Sequence, residues 1–188
     1  PTLVEVEGGL FIALEGAGAP SGEEFQRKIS ALYSLAYAVK KICKGMGRDF
    51  VVPKLEALWW VPGREFEEAA PEEWRGKLLI RMPDYVTDEM VEEARDDVLR
   101  RKGIELVRDV RLERMREGLC IQVLHVGPYS EERMSIERMR EFMRREGLEP
   151  RGPHHEIYLS DPRRTPPERL KTILRQPVSR RSRDVEAR

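Results

Sequence analysis

The chain spells out one order of elements twice. A strand over residues 9–16 (GLFIALEG) leads through a turn to a helix over 22–44, then to strands at 51–61 and 74–82. The order returns with a strand over 118–126 (GLCIQVLHV), a turn, a helix over 131–146, and strands at 154–159 and 171–177. Apolar residues at helical spacing mark both helices: Phe25, Ile29, Leu32, Leu35, Ala36, Val39 and Ile42 in the first, Met134, Ile136, Met139, Phe142 and Met143 in the second. The strand-to-helix turns match as well, Gly18-Ala19-Pro20-Ser21 beside Gly127-Pro128-Tyr129-Ser130. Two such copies can pair into one antiparallel sheet with pseudo-twofold symmetry, helices on one face and a ligand groove between the repeats. The expected class is α+β, as two tandem strand–helix–strand–strand repeats.

Local signals place the boundaries. Ser21 stands three residues before Glu24, the spacing of a capping box, and Gly45 and Gly47 end that helix. Thr87 caps a further helix over 87–102, which Gly103 terminates. Residues 107–117 are highly charged, and the Leu112 and Met115 spacing favours helix without settling it. The run at 65–73 is acidic and irregular. The reading is a single domain over 1–178, with repeat one at about 9–83, a connecting helical segment at 84–117 and repeat two at about 118–178. The charged tail at 179–188 is expected to be disordered.

Composition narrows the function. Of 188 residues, 34 are basic and 34 acidic, and a net charge of zero weighs against a polyanion binder such as a nucleic-acid protein. The arginines from Arg163 onward are read as surface ion pairs. No apolar run nears the roughly 18 residues of a membrane span. No signal pattern opens the chain, so a cytoplasmic location is expected. Cys43 and Cys120 are far apart and read as buried, reduced thiols. His125 stands alone, and a strand splits His154 from His155, so no metal is expected and His155 is read as a hydrogen-bonded structural residue. Neither a serine nucleophile at Ser160 nor a phosphate loop has its motif.

The chemistry concentrates in two short strands a hundred positions apart, Leu55-Glu56-Ala57-Leu58-Trp59-Trp60 and His155-Glu156-Ile157-Tyr158-Leu159. Each sets one glutamate in an apolar, aromatic strand. Alternation puts Glu56, Leu58 and Trp60 on one face, and Glu156 and Tyr158 on one face of the other strand. Glu56 and Glu156 are read as symmetry mates. Trp60 is nominated for the groove and Trp59 for the core beside it, with both kept as candidate ligand contacts. Tyr33 and Tyr37, one helical turn apart, and Tyr129 at its turn are further candidates. A carboxylate beside rings suits a flat, apolar or cationic ligand.

These stretches resemble the GyrI-like small-molecule-binding proteins, stand-alone relatives of the effector-binding domains of multidrug-sensing transcription activators. The resemblance rests on FIALEGAGAPSGEEF, SLAYAVK, DFVVPKLEALWWV, HVGPYSEE and above all HHEIYLSDPRRTPPERLKTILRQPV, together about residues 10–178. No helix-turn-helix module is seen ahead of the first strand. The resemblance implies a central groove for bulky planar aromatic or cationic compounds, with a buried glutamate that matches Glu156. Some similar stand-alone proteins are cofactor-independent hydrolases that open the cyclopropane ring of DNA-alkylating compounds, a detoxification. On that reading Glu156 is the base or water-orienting group, Glu56 assists, and Tyr158, Trp60 and Tyr33 frame the substrate, with Glu156 and Tyr158 as the catalytic candidates. A non-catalytic multidrug sink or sensor and a gyrase-modulating partner, docking through the 65–73 run, are the alternatives. The oligomeric state, monomer or dimer, stays open.

Overall fold

A computed structural model of the chain describes residues 1–18, 20–64 and 68–181. The described residues form an α+β fold of nine strands and three α-helices, and every strand pairing is antiparallel. They fall into two compact units, Gly8–Arg116 and a second made of Pro1–Glu7 with the chain from Glu117 onward.

The first unit contains β2 (Gly9–Ala17), α1 (Gly22–Gly45), β3 (Glu56–Trp60), β4 (Arg75–Met82), α2 (Asp88–Lys102) and β5 (Arg111–Met115), with strand order β3-β4-β2-β5. Helix α1 buries Leu32, Leu35, Ala36 and Val39 of the stripe its periodicity predicts, with Ala31 and Cys43 beside them. Ser21 precedes it in extended conformation but makes no side-chain cap bond, and Glu24 pairs instead with Lys28 at 3.1 Å. The expected capping box is therefore not formed. Thr87 does cap α2, accepting from the Met90 N–H at 3.3 Å, and Gly103 closes that helix in the left-handed region at φ 62°.

The charged run after α2 departs from its expected helicity. It forms a 3-10 turn at Glu105–Asp109 and then β5, which pairs with β2. Buried Arg95 of α2 donates to the carbonyls of Val107 and Val110 and anchors that turn. β5 ends the strand order of its unit, a position where charged side chains are common because one side of the strand meets no neighbour within the sheet.

The second unit contains β1 (Thr2–Val6), β6 (Gly118–Val126), α3 (Glu132–Glu146), β7 (Leu148–Pro150), β8 (His154–Tyr158) and β9 (Lys171–Arg180). Its order is β1-β6-β9-β8, with β7 also on β9. β1 and β7 lie outside the repeat read from the sequence. Met139 and Met143 of α3 pack on Ile121, Val123, Leu148, Leu174 and Val178, and each such side chain contributes about 1.5–3 kcal/mol by leaving water. Each unit thus carries its own strand–helix–strand–strand order. Residues 182–188 of the charged tail and residues 65–67 of the acidic run lie outside the described residues, and 179–180 belong to β9.

Cys43 and Cys120 are free and buried, and burial pushes both thiols up, that of Cys120 to about 12. Among the described residues no helix is long and apolar enough to cross a membrane.

Candidate functional site

Strand register fixes which way each glutamate points. Glu156 of β8 stands opposite Leu174 of β9, which stands opposite Val123 of β6. Leu174 and Val123 pack against α3, so Glu156 faces the helix. Tyr158 stands opposite Thr172, and Thr172 opposite His125, on that same face. Glu56 differs. It stands opposite Leu79, on the face shared by Phe11, Ala13, Leu58, Trp60 and Met115. Helix α1 lies against the other face, where Phe25 of α1 meets Trp59. Glu56 therefore points away from the helix of its unit, whereas Glu156 points under the helix of its own. The two glutamates are not equivalent within their units. On the helix side of β3 the register instead places Ala57, opposite Leu78, and Trp59, opposite Gly76.

The site around Glu156 is built from three elements. The side chain is only 8% exposed. The Tyr158 hydroxyl, on the next same-face position of β8, donates to Glu156 Oε2 at 2.6 Å. His154, two positions back, brings Nε2 to 3.4 Å from Glu156 Oε1. From the first turn of α3, Glu132 brings its carboxyl against that of Glu156. Burial, then the charge of Glu156 and a hydrogen bond to it, push Glu132 up to about 9, with the Thr172 hydroxyl opposing. Burial and the neighbouring Glu156 carboxylate thus favour the neutral form of Glu132.

Rings border this acid pair. Tyr129, 40% exposed, meets the edge of Tyr158 at 6.0 Å and 81°. Burial, followed by the charges of Glu132, Glu156 and Asp161, raises the Tyr129 hydroxyl above its ordinary value. His125 ties the turn that carries Tyr129 to the site. Its Nε2 donates to the Pro128 carbonyl at 3.1 Å, and its Nδ1 lies 3.0 Å from Ser135 Oγ on α3.

The remaining candidates take other places. Trp60 is half-buried against Phe11 and Leu58. Trp59 is buried between Phe25 and Trp74, with centroids 6.3 and 6.0 Å away. Tyr33 and Tyr37 stack at 6.4 Å along α1, and Tyr37 is 57% exposed. All four belong to the first unit, and Glu156, Tyr158 and Tyr129 to the second. His155 is fully buried and donates through Nδ1 to Glu117 Oε1 at 2.8 Å, while Arg175 holds Glu117 Oε2 at 3.0 Å. This network lies on the sheet face opposite Glu156 and makes His155 a structural residue.

Sequence reasoning missed Glu132. An acidic residue in the first turn of a helix is ordinarily a solvated partner of the helix dipole. The signal was its phase: Glu132, Ser135, Met139 and Met143 are the buried face of α3, so one glutamate falls on the inner stripe. Thr172 carried no signal beyond its parity with Leu174. Among the described residues, no group of three or more His, Cys, Asp or Glu side chains is placed to hold a metal ion.

Comparison with known proteins adds to this geometry. A conserved protein of Listeria innocua is 41% identical, with a TM-score of 0.86, over 95% of this chain and 91% of that one. A hydrolase of Listeria innocua is 39% identical, with a TM-score of 0.82, over the same shares of the two chains. The C-terminal domain of EcmrR shares the fold alone, at 11% identity and a TM-score of 0.62 over 96% of this chain and 97% of that domain. Comparison with curated proteins returned no match. The model of the GyrI-like small molecule binding domain matches residues 1–179, nearly the whole chain. A helix-covered sheet with a buried glutamate beside tyrosines is thus seen in a chain that belongs to the GyrI-like small-molecule-binding family.

Proposed function

We propose that this protein takes a bulky planar compound, apolar or cationic, against the ring-bordered acid pair of Glu132 and Glu156, and opens the cyclopropane ring of a DNA-alkylating compound with water. The observation that carries the reading is the acid pair itself: the Glu132 carboxyl, held well above its ordinary value by burial and then by Glu156, meets a Glu156 carboxylate that accepts from the Tyr158 hydroxyl at 2.6 Å. Two acids whose environments differ this way divide the work of general acid and general base. Similarity to a Listeria innocua hydrolase at 39% identity supports a hydrolytic reaction.

In the proposed step, Glu156 accepts a proton from water as the water oxygen bonds to a cyclopropane carbon. The strained carbon–carbon bond breaks, and its electron pair passes into the electron-withdrawing group conjugated with the ring. Glu132 delivers a proton there. One water has been added, Glu156 has gained a proton and Glu132 has lost one, and transfer between the two restores the pair. Tyr158 positions Glu156. Tyr129 and Tyr158 offer ring contacts, each contributing about 0.5–2 kcal/mol to binding a flat cation. The chemistry needs no cofactor, and its purpose on this reading is detoxification.

Incubation of the protein with a cyclopropane-bearing alkylator and, separately, with a cationic dye tests the proposal. The expected result is a ring-opened product one water heavier than the substrate. Tight dye binding with no such product would replace catalysis by a binding sink or sensor.

A further inference from the structure

The first unit holds a cavity that the acid pair does not use. Gly16 of β2 and Gly76 of β4 face each other across the sheet and leave its helix-side surface bare. A Cβ on Gly76 would lie 2.5 Å from the Trp59 ring, and one on Gly16 would lie 2.2 Å from Lys28 Nζ. The glycine pair thus lets the Trp59 indole and the Lys28 ammonium end pack close on the backbone. Phe25 of α1 tilts at 37° to the indole, and Leu14 and Leu78 complete an apolar lining. The cavity holds about 190 Å³ and opens to solvent beside the first turn of α1. That is below the roughly 300–1,000 Å³ of sites for drug-sized molecules, and just above the ~150 Å³ that accepts benzene. That volume suits a single substituted ring.

Lys28 sets the charge of that ring's substituent. Its side chain is 14% exposed, and it pairs with Glu24, at 3.1 Å, whose carboxylate is 79% exposed. A pair with so open an acid is weak. A carboxylate brought in on a buried ring can take the place of Glu24 at lower solvent screening, next to the helix N-terminus. We propose that this cavity is a binding site for a monocyclic aromatic carboxylate, with its ring against the Phe25, Trp59, Leu14 and Leu78 lining and its carboxylate on Lys28.

The test is titration of the full-length protein with benzoate, followed by tryptophan fluorescence and calorimetry, with toluene and benzylammonium as controls. Benzoate is expected to bind saturably at millimolar concentration and to change the tryptophan signal. Lys28→Met should weaken benzoate by about tenfold or more, the effect of losing a bond to a charged group, while leaving toluene unaffected. Trp59→Phe should abolish the fluorescence response while retaining calorimetric binding, which places the ring. Glu156→Gln should bind benzoate like the unaltered protein, which separates this site from the acid pair. Absence of saturable benzoate binding, equal binding by Lys28→Met, or preference for benzylammonium would each overturn the assignment.

Discussion

Glu132 on the first turn of α3 and Glu156 on β8 bring two carboxyls together beneath the helix. Burial and the neighbouring carboxylate hold Glu132 at about 9, against an ordinary value of 4.5. In the unfolded chain the proton leaves near the ordinary value, and in the folded chain it stays until about pH 9. Between those limits the native state holds the extra proton, so stability falls as pH rises. Glu132→Gln keeps a donor to Glu156 without a titrating group. Its melting temperature should therefore vary less than that of the unaltered protein across this window, and should exceed it toward alkaline pH. Thermal melts at a series of pH values check this.

Tyr158→Phe removes the hydroxyl that holds Glu156 and leaves the ring. A hydrogen bond to a charged group is worth about 1.5–3 kcal/mol, and the half-burial of Tyr158 puts the expected loss toward the lower end. Urea denaturation measures it. On the proposed mechanism the same variant should also lower kcat more than it raises KM, because the hydroxyl positions a reacting group.

The opposite face of the same strand behaves differently with pH. Burial works against ionisation of Glu117, but the hydrogen bond and charge of His155, joined by Arg175, hold its carboxyl below the ordinary range. A depressed carboxylate contributes stability above its unfolded pKa and loses it as pH falls through its folded one. Glu117→Gln should cost about 3–5 kcal/mol near neutrality, because it leaves buried His155 and Arg175 without their counter-charge. The difference from the unaltered protein should narrow in acid, and chemical denaturation at two pH values shows whether it does.

Gly76→Ala places a methyl group where the Trp59 ring lies. Overpacking of this kind costs about 1–3 kcal/mol. A changed near-ultraviolet circular dichroism band and a lower urea midpoint are expected, whereas an unperturbed band would mean that the ring does not rest on the glycine.

Much of this was legible in the sequence because it rests on periodicity. The stripe of α1, the Met139 and Met143 part of that of α3, the Thr87 cap and the split of Trp59 from Trp60 follow from 3.6- and 2-residue spacing, whereas Met134, expected on the inner side of α3, is 64% exposed. What spacing cannot report is which face of a sheet a helix covers. Glu56 and Glu156 read alike as single glutamates in aromatic strands, yet register sends one away from α1 and the other under α3. β5 was hidden because Arg111, Glu113 and Arg114 mask a strand whose Leu112 meets Ile12 and whose Met115 meets Gly9. Glu132 was hidden because its type suits a helix start, and only its phase with Met139 marks it as interior.

Turnover by Glu156→Gln tests the account most directly. With the circular dichroism spectrum unchanged and a planar cationic dye still bound, the variant should form no ring-opened product from a cyclopropane-bearing alkylator that the unaltered protein converts. Product formation at the unaltered rate would contradict the role given to this carboxylate.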